Sequence, residues 1–114
     1  MSPATAPPFP AEAVRDLLGL VRAMYAAAKA AGAPSAELRR VERIGASLHK
    51  ALELAATTTP GSLGHAAAWR RAEEATEAVG DLVDALTPAA PIVTAARLRV
   101  SGARVALRTK PPER

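Results

Sequence analysis

The chain has 114 residues, 49% of them apolar but only 3% aromatic, with 15 basic against 11 acidic side chains and no cysteine. This length makes one domain; the lack of cysteine excludes disulfides, thiolate metal sites and a cysteine nucleophile, and no run of about 18 apolar residues is present to span a membrane. The positive excess is uneven. Residues 1–88 carry nine basic and ten acidic side chains, whereas residues 89–114 carry six basic ones (Arg97, Arg99, Arg104, Arg108, Lys110, Arg114) against Glu113 alone. A polyanion contact is therefore expected in the last quarter of the chain.

The first nine residues, with Pro3, Pro7 and Pro8, read as a disordered proline-rich arm from which Phe9 is placed to dock on the rest. They lack the charged start and apolar block of a signal peptide, so a cytoplasmic location is expected. A first helix is predicted from Pro10 to Ala31, since Val14, Leu17, Leu18, Val21, Tyr25 and Ala28 form a stripe at helical spacing. Leu20, Met24 and Ala27 widen that stripe, which predicts contact with two neighbours. Gly32 ends the helix, and the tight link through Pro34 favours an antiparallel neighbour.

A second helix is predicted from Ser35 as N-cap, with Glu37 in its first turn. Its inward set is Leu38, Val41, Gly45, Leu48, Leu52 and Ala55, with Ile44 and Ala51 alongside. Gly45 inside a helix costs about 1 kcal/mol against alanine, and the close approach of a second backbone would explain it. Thr57, Thr58, Thr59, Pro60 and Gly61 break the helix, and Ser62 is the expected N-cap of the third.

The third helix, ending before Pro88, has the clearest pattern of the chain. Trp69, Ala72, Thr76, Val79, Val83 and Leu86 alternate spacings of three and four, the seam of a helix packed along another helix. Its outer face carries Arg70, Arg71, Glu73, Glu74, Glu77, Asp81 and Asp84. After Pro88 and Pro91, a fourth helix to about Thr109 is the first reading, with Ile92, Ala95, Ala96, Ala103, Ala106 and Leu107 near one side. The rival is a hairpin, in which Leu98 and Val100, then Val105 and Leu107, alternate about a Ser101-Gly102 turn; a lone hairpin is marginal in water.

The predicted fold is thus all-α: an antiparallel up-and-down four-helix bundle over residues 10–110, with the arm at 1–9, a basic C-terminal helix and a short tail at 111–114. Abundant alanine lets helices approach closely while each contact buries little, so self-association is a natural remedy for a marginal monomer.

No residue set argues for catalysis. His49 and His65 lack the Glu-x-x-His pairs of di-metal bundles and the paired histidines of zinc hydrolases, and His65 reads as a solvated or capping residue in the first turn of its helix. The stripe Glu73, Glu77, Asp81 and Asp84 reads as a solvated face, or as one paired with Arg97, Arg104 and Arg108, in preference to a cation site. The serines have no base and orienting partner, and Gly61-Ser62-Leu63-Gly64 is no phosphate loop. Trp69 reads as core, the sharper alternative being an exposed stacking platform for a base. The expectation is of no enzyme activity, no cofactor and no metal. Arg39, Arg40 and Arg43 make a second basic cluster that, together with the C-terminal arginines, would extend one polyanion surface.

Helices 2 and 3 also bring a family resemblance. Arg39-Arg40-Val41-Glu42-Arg43-Ile44-Gly45-Ala46-Ser47-Leu48, then Leu52 and Ala55-Ala56, a short loop with Gly61-Ser62, and an alanine-rich helix with Trp69 resemble a bacterial four-helix-bundle family. That family includes proteins encoded in intervening sequences of large-subunit ribosomal RNA genes and Avd, the accessory variability determinant of diversity-generating retroelements. The likeness spans roughly residues 11–109. Glu53-Leu54-Ala55-Ala56-Thr57 stands where many members carry an Asn-Ile-Ala-Glu-Gly-like end to helix 2, and Trp69 alone remains of an aromatic pair; both departures favour the Avd-like branch, or a diverged cousin, over the intervening-sequence branch. The resemblance implies a non-enzymatic, cytoplasmic homopentameric ring that binds a reverse transcriptase and RNA or DNA. Its candidate nucleic-acid residues here are the clustered cations Arg39, Arg40, Arg43, Arg97, Arg99, Arg104, Arg108 and Lys110. The alternative expectation is a protein–protein interaction or structural module with no nucleic-acid role.

Overall fold

The computed structural model describes residues 8–85 and 91–109, apart from the side chains of residues 91–95. The described residues are helical in four segments: α1 Ala11–Ala30, α2 Ser35–Thr57, α3 Leu63–Asp84 and α4 Pro91–Leu107. Each helix packs on the next, and α4 returns to pack on α1, which makes a four-helix bundle with α1 and α3 barely touching across it. The stretch for which a hairpin is the rival reading is helix. Residues 1–7 of the arm, Leu86, Pro88, Lys110 and the tail at 111–114 lie outside the described residues.

Helix α1 buries Val14, Leu17, Leu18, Leu20, Val21 and Met24. The width of that face matches its two neighbours, α2 and α4. Ala27, expected to widen the stripe, is exposed. The helix ends in a Schellman motif: the Ala33 N–H donates to the Ala28 carbonyl at 3.0 Å and the Gly32 N–H to the Lys29 carbonyl at 3.1 Å. Gly32 takes φ +77° there, a conformation that disfavours any side chain.

The cap of α2 lies one residue earlier than expected. Pro34, extended at φ −60° and ψ 149°, occupies the N-cap position; Ser35 is the first helical residue, and no side chain caps this end. The Pro34 carbonyl accepts from the N–H groups of Glu37 at 3.0 Å and Leu38 at 3.1 Å. Proline has its φ fixed and no N–H to lose, so it can hold this position without a side-chain oxygen. Val41, Ile44, Leu48 and Ala51 are buried, with Leu38, Gly45, Leu52 and Ala55 at the edges of the same face.

Gly45 does not mark the close approach of a second backbone. A Cβ built on it would lie 3.5 Å from Val21 Cγ1 and 3.9 Å from Leu18 Cδ1, ordinary contacts with side chains. Gly45→Ala should therefore stabilise the protein by about 1 kcal/mol through helix propensity, read as a raised midpoint in a thermal melt. A lowered midpoint would show that α1 and α2 cannot spare that space.

Helix α3 starts as its sequence predicts, with the Ser62 Oγ accepting from the His65 N–H at 3.2 Å. The seam residues Trp69, Ala72, Thr76, Val79 and Val83 are all buried. Ala68, Ala75, Gly80 and Leu82 are buried too, because α3 has α2 on one flank and α4 on the other. The Thr76 hydroxyl donates to the Ala72 carbonyl at 2.7 Å, so its polar atom is satisfied inside the core.

In α4, Ala96, Val100, Ala103 and Leu107 face inward. Val100 thus joins a face predicted from alanines, Ile92 and Leu107. Leu98 and Val105 point out. At one end of the bundle Phe9 docks as expected, edge-on to Trp69 at 5.4 Å and to His65 at 6.3 Å between ring centroids.

Candidate nucleic-acid interface

The two basic clusters of the sequence do not form one surface. Arg39, Arg40 and Arg43 are exposed on α2, and Arg97, Arg99 and Arg108 are exposed on α4. Helices α2 and α4 make no contact with each other among the described residues, so the clusters lie on opposite flanks of α3. Helical periodicity sets a residue's direction about its own helix and is silent on which neighbour stands there.

On the α2 side, Arg43 faces Arg70 and Arg71 of α3 across an open groove of about 430 Å³. The groove exists because its floor is made of short side chains, among them Ser47, Ala67, Ala75 and Ala78. Glu74 is the one acidic residue lining it, so the local balance is positive. Such a trough of cations over small residues suits a phosphate chain, which needs charge and room for the backbone. Arg70 and Arg71 were legible only as part of a charged outer face. Their usable signal is that Arg71 falls beside Ala67, Ala75 and Ala78 on a helical projection, on the flank of the seam where a close neighbour is possible.

On the α4 side the cations meet the acids of α3. Arg104 forms a bidentate pair with Glu77, Nε to Oε2 at 2.8 Å and Nη2 to Oε1 at 2.9 Å. Of the three arginines expected as partners for the acidic stripe, Arg104 fulfils that role. Gly80 makes room for it: a Cβ at that position would fall 2.6 Å from Arg104 Nη2. The hydrogen bonds from Arg104 hold the Glu77 carboxyl below its ordinary 4.5, and burial only partly opposes them. Bonding to Glu77 and the further charges of Asp84 and Asp81 raise the Arg104 guanidinium. Because the folded state depresses Glu77, the pair's stabilisation is present above the unfolded carboxyl value and fades as pH falls below it. With side chains 40% and 60% exposed the pair is well solvated, and its contribution is at most about 1 kcal/mol.

His65 is buried, 7% exposed, where a solvated or capping residue was expected. Phe9 covers its ring, an arm contact that periodicity within α3 does not encode. The Thr58 hydroxyl donates to the Leu54 carbonyl. The 3.1 Å contact between Thr58 Oγ1 and His65 Nδ1 is then a bond donated by the ring. His49 is exposed and lies 3.9 Å from Glu53, which also pairs with Lys50 at 3.0 Å. The Lys50 hydrogen bond and charge hold the Glu53 carboxyl below its ordinary value. No group of three or more His, Asp or Glu side chains among the described residues is arranged to hold a metal ion. Trp69 is 2% exposed and packs in the core, which removes the stacking-platform reading. No helix of the described residues is long and apolar enough to cross a membrane. No protein-family model, curated protein or solved structure matches the chain.

Proposed function

We propose that the protein is a non-enzymatic, cytoplasmic accessory bundle, its helices running antiparallel and alternately up and down, that binds RNA or DNA by the phosphate backbone. The observation that carries this reading is the α2–α3 groove, where Arg43, Arg70 and Arg71 line a floor of small residues with Glu74 as the lone acid. Arg39 and Arg40, exposed on the same helix as Arg43, extend the positive potential beyond the groove. The exposed Arg97, Arg99 and Arg108 form a second, separate set. The likeness to Avd supports the rest of the proposal: a homo-oligomer, a pentamer in that family, serving a reverse transcriptase. In a ring each copy repeats the groove, and weak phosphate contacts add through multivalency. Contacts of this kind read charge and spacing and little sequence.

The test is a gel-shift series with a single-stranded RNA across salt concentrations, with sedimentation of the same sample to report assembly. Binding should fall steeply with salt. Arg43→Gln combined with Arg71→Gln should weaken it by about tenfold or more and reduce the log–log salt slope by about 0.7 to 0.9 for each phosphate no longer neutralised. The thermal melt should not move, because both side chains are exposed. Arg104→Gln should leave affinity near that of the wild type, since Glu77 already neutralises it. Absence of binding even at about 50 mM salt, or full affinity in the Arg43/Arg71 variant, would refute the reading. The alternative is then an interaction module with no nucleic-acid role, which the exposed Leu98 and Val105 favour.

A further inference from the structure

We infer that the outward face of α4 is a docking surface for an acidic amphipathic helix of another protein. Helix α4 carries two apolar pairs, and the members of each are seven residues, or two turns, apart. Val100 and Leu107 are buried against the bundle at 3% exposure each. Leu98 and Val105 stand on the opposite side, 71% and 59% exposed. This is what the hairpin-like alternation of the sequence becomes on a helix: one seam in, one seam out. A helix with a single packing face keeps its outward positions polar; α4 has an apolar face on each side, and α1 and α3 are the bundle helices that pack on it, with Leu98 and Val105 left uncovered.

The exposed seam has relief as well as apolarity. Gly102 lies between Leu98 and Val105 at spacings of four and three, and a Cβ built on it meets nothing within 4 Å. The result is two knobs with a notch between them, a pattern that accepts a large side chain from a facing helix. The charge around the seam selects that helix. Arg97, Arg99 and Arg108 are exposed beside it and make no ion pair among the described residues. A partner with apolar residues at matching spacing and Asp or Glu on its flanks satisfies both features.

Other occupants fit less well. A second copy of α4 would set these arginines against their own equivalents. Phosphate backbones gain nothing from an exposed leucine and valine. Two apolar side chains are too few to hold a lipid surface. The surface is separate from the α2–α3 groove, so the inference stands whether or not that groove binds nucleic acid.

The experiment uses the full chain and a labelled synthetic peptide of about 20 residues, with leucines at alternating spacings of three and four flanked by glutamates. A scrambled peptide of the same composition is the control. Fluorescence anisotropy should show the patterned peptide binding about tenfold or more tightly than the scrambled one. Leu98→Ser with Val105→Ser should remove that preference while the thermal melt and the RNA gel shift stay unchanged. Gly102→Leu, which fills the notch and suits a helix, should weaken the same peptide independently. Equal binding of both peptides would reduce the effect to charge and overturn the inference, as would full peptide affinity in the serine double variant. It would also fail if that variant lost RNA or anionic-vesicle binding with peptide affinity intact. Conversion of a wild-type oligomer to a monomer by the serine variant would assign the face to a second copy and overturn it too.

Discussion

Val83→Asp should abolish the cooperative unfolding transition of the bundle. Val83 is 1% exposed in the α3 seam, in the last turn of the helix, and belongs to the buried core cluster. An aspartate there must either bury a carboxylate, in a cavity whose cations are Arg97 and the Arg104 already held by Glu77, or take up a proton and leave a polar acid in the apolar core. Either outcome costs several kcal/mol, and the lost valine packing adds to it. A domain of this size has about 5 to 15 kcal/mol in hand, and this one starts with few large apolar side chains. Far-UV circular dichroism during heating checks it: the variant should melt without a transition or show reduced helicity at the outset. Ala46→Asp, on the exposed face of α2, is the control and should melt near the wild type. An unchanged midpoint for Val83→Asp would mean that the seam is not the core.

Trp69→Ala should cost about 3 to 5 kcal/mol, whereas Trp69→Phe should cost much less. Trp69 is the single tryptophan of the chain, 2% exposed, and it receives Phe9 edge-on. Truncation to alanine would leave a cavity at the end of the bundle and release Phe9 from its packing. The indole Nε1–H, however, is buried without a hydrogen-bond partner among the described residues. An unpaired buried donor carries a desolvation penalty of about 1 to 3 kcal/mol, and phenylalanine removes it while keeping an aromatic ring against Phe9. The two variants therefore separate the ring from its polar atom in chemical denaturation. A phenylalanine variant as unstable as the alanine variant would show that the indole N–H contributes a bond of its own.

The elements of this fold were legible because their signals are local. Gly32 with Pro34, then Pro60 with Gly61, fall together between the helical patterns, and Gly32 and Gly61 take positive φ there. Ser62 caps α3 with its own hydroxyl, three residues from the N–H that it accepts. The spacing of Trp69, Ala72, Thr76, Val79 and Val83 fixes a helix and its buried side without reference to anything else. The cap of α2 differs by one residue because Pro34 and Ser35 both suit a helix start, and only the backbone angles separate them. The basic stretch after Pro91 was ambiguous for a different reason. Apolar residues at 98, 100, 105 and 107 satisfy a two-residue alternation and a two-turn helical repeat equally well.

What the sequence determined by itself is therefore the set of helices and the direction in which α1, α2 and α3 bury their apolar residues. Only the tertiary structure decided which flank faces which neighbour. It brought Arg104 to Glu77 over a separation of 27 residues and Arg71 toward Arg43 across a groove. It placed His65 under Phe9, and it left Leu98 and Val105 uncovered. The physical reason is that a helix's pattern records how it is rotated about its own axis, while a site made by two helices depends on the order in which they stand around the core. That order is set by the summed fit of all four apolar faces, which no single stretch of sequence contains.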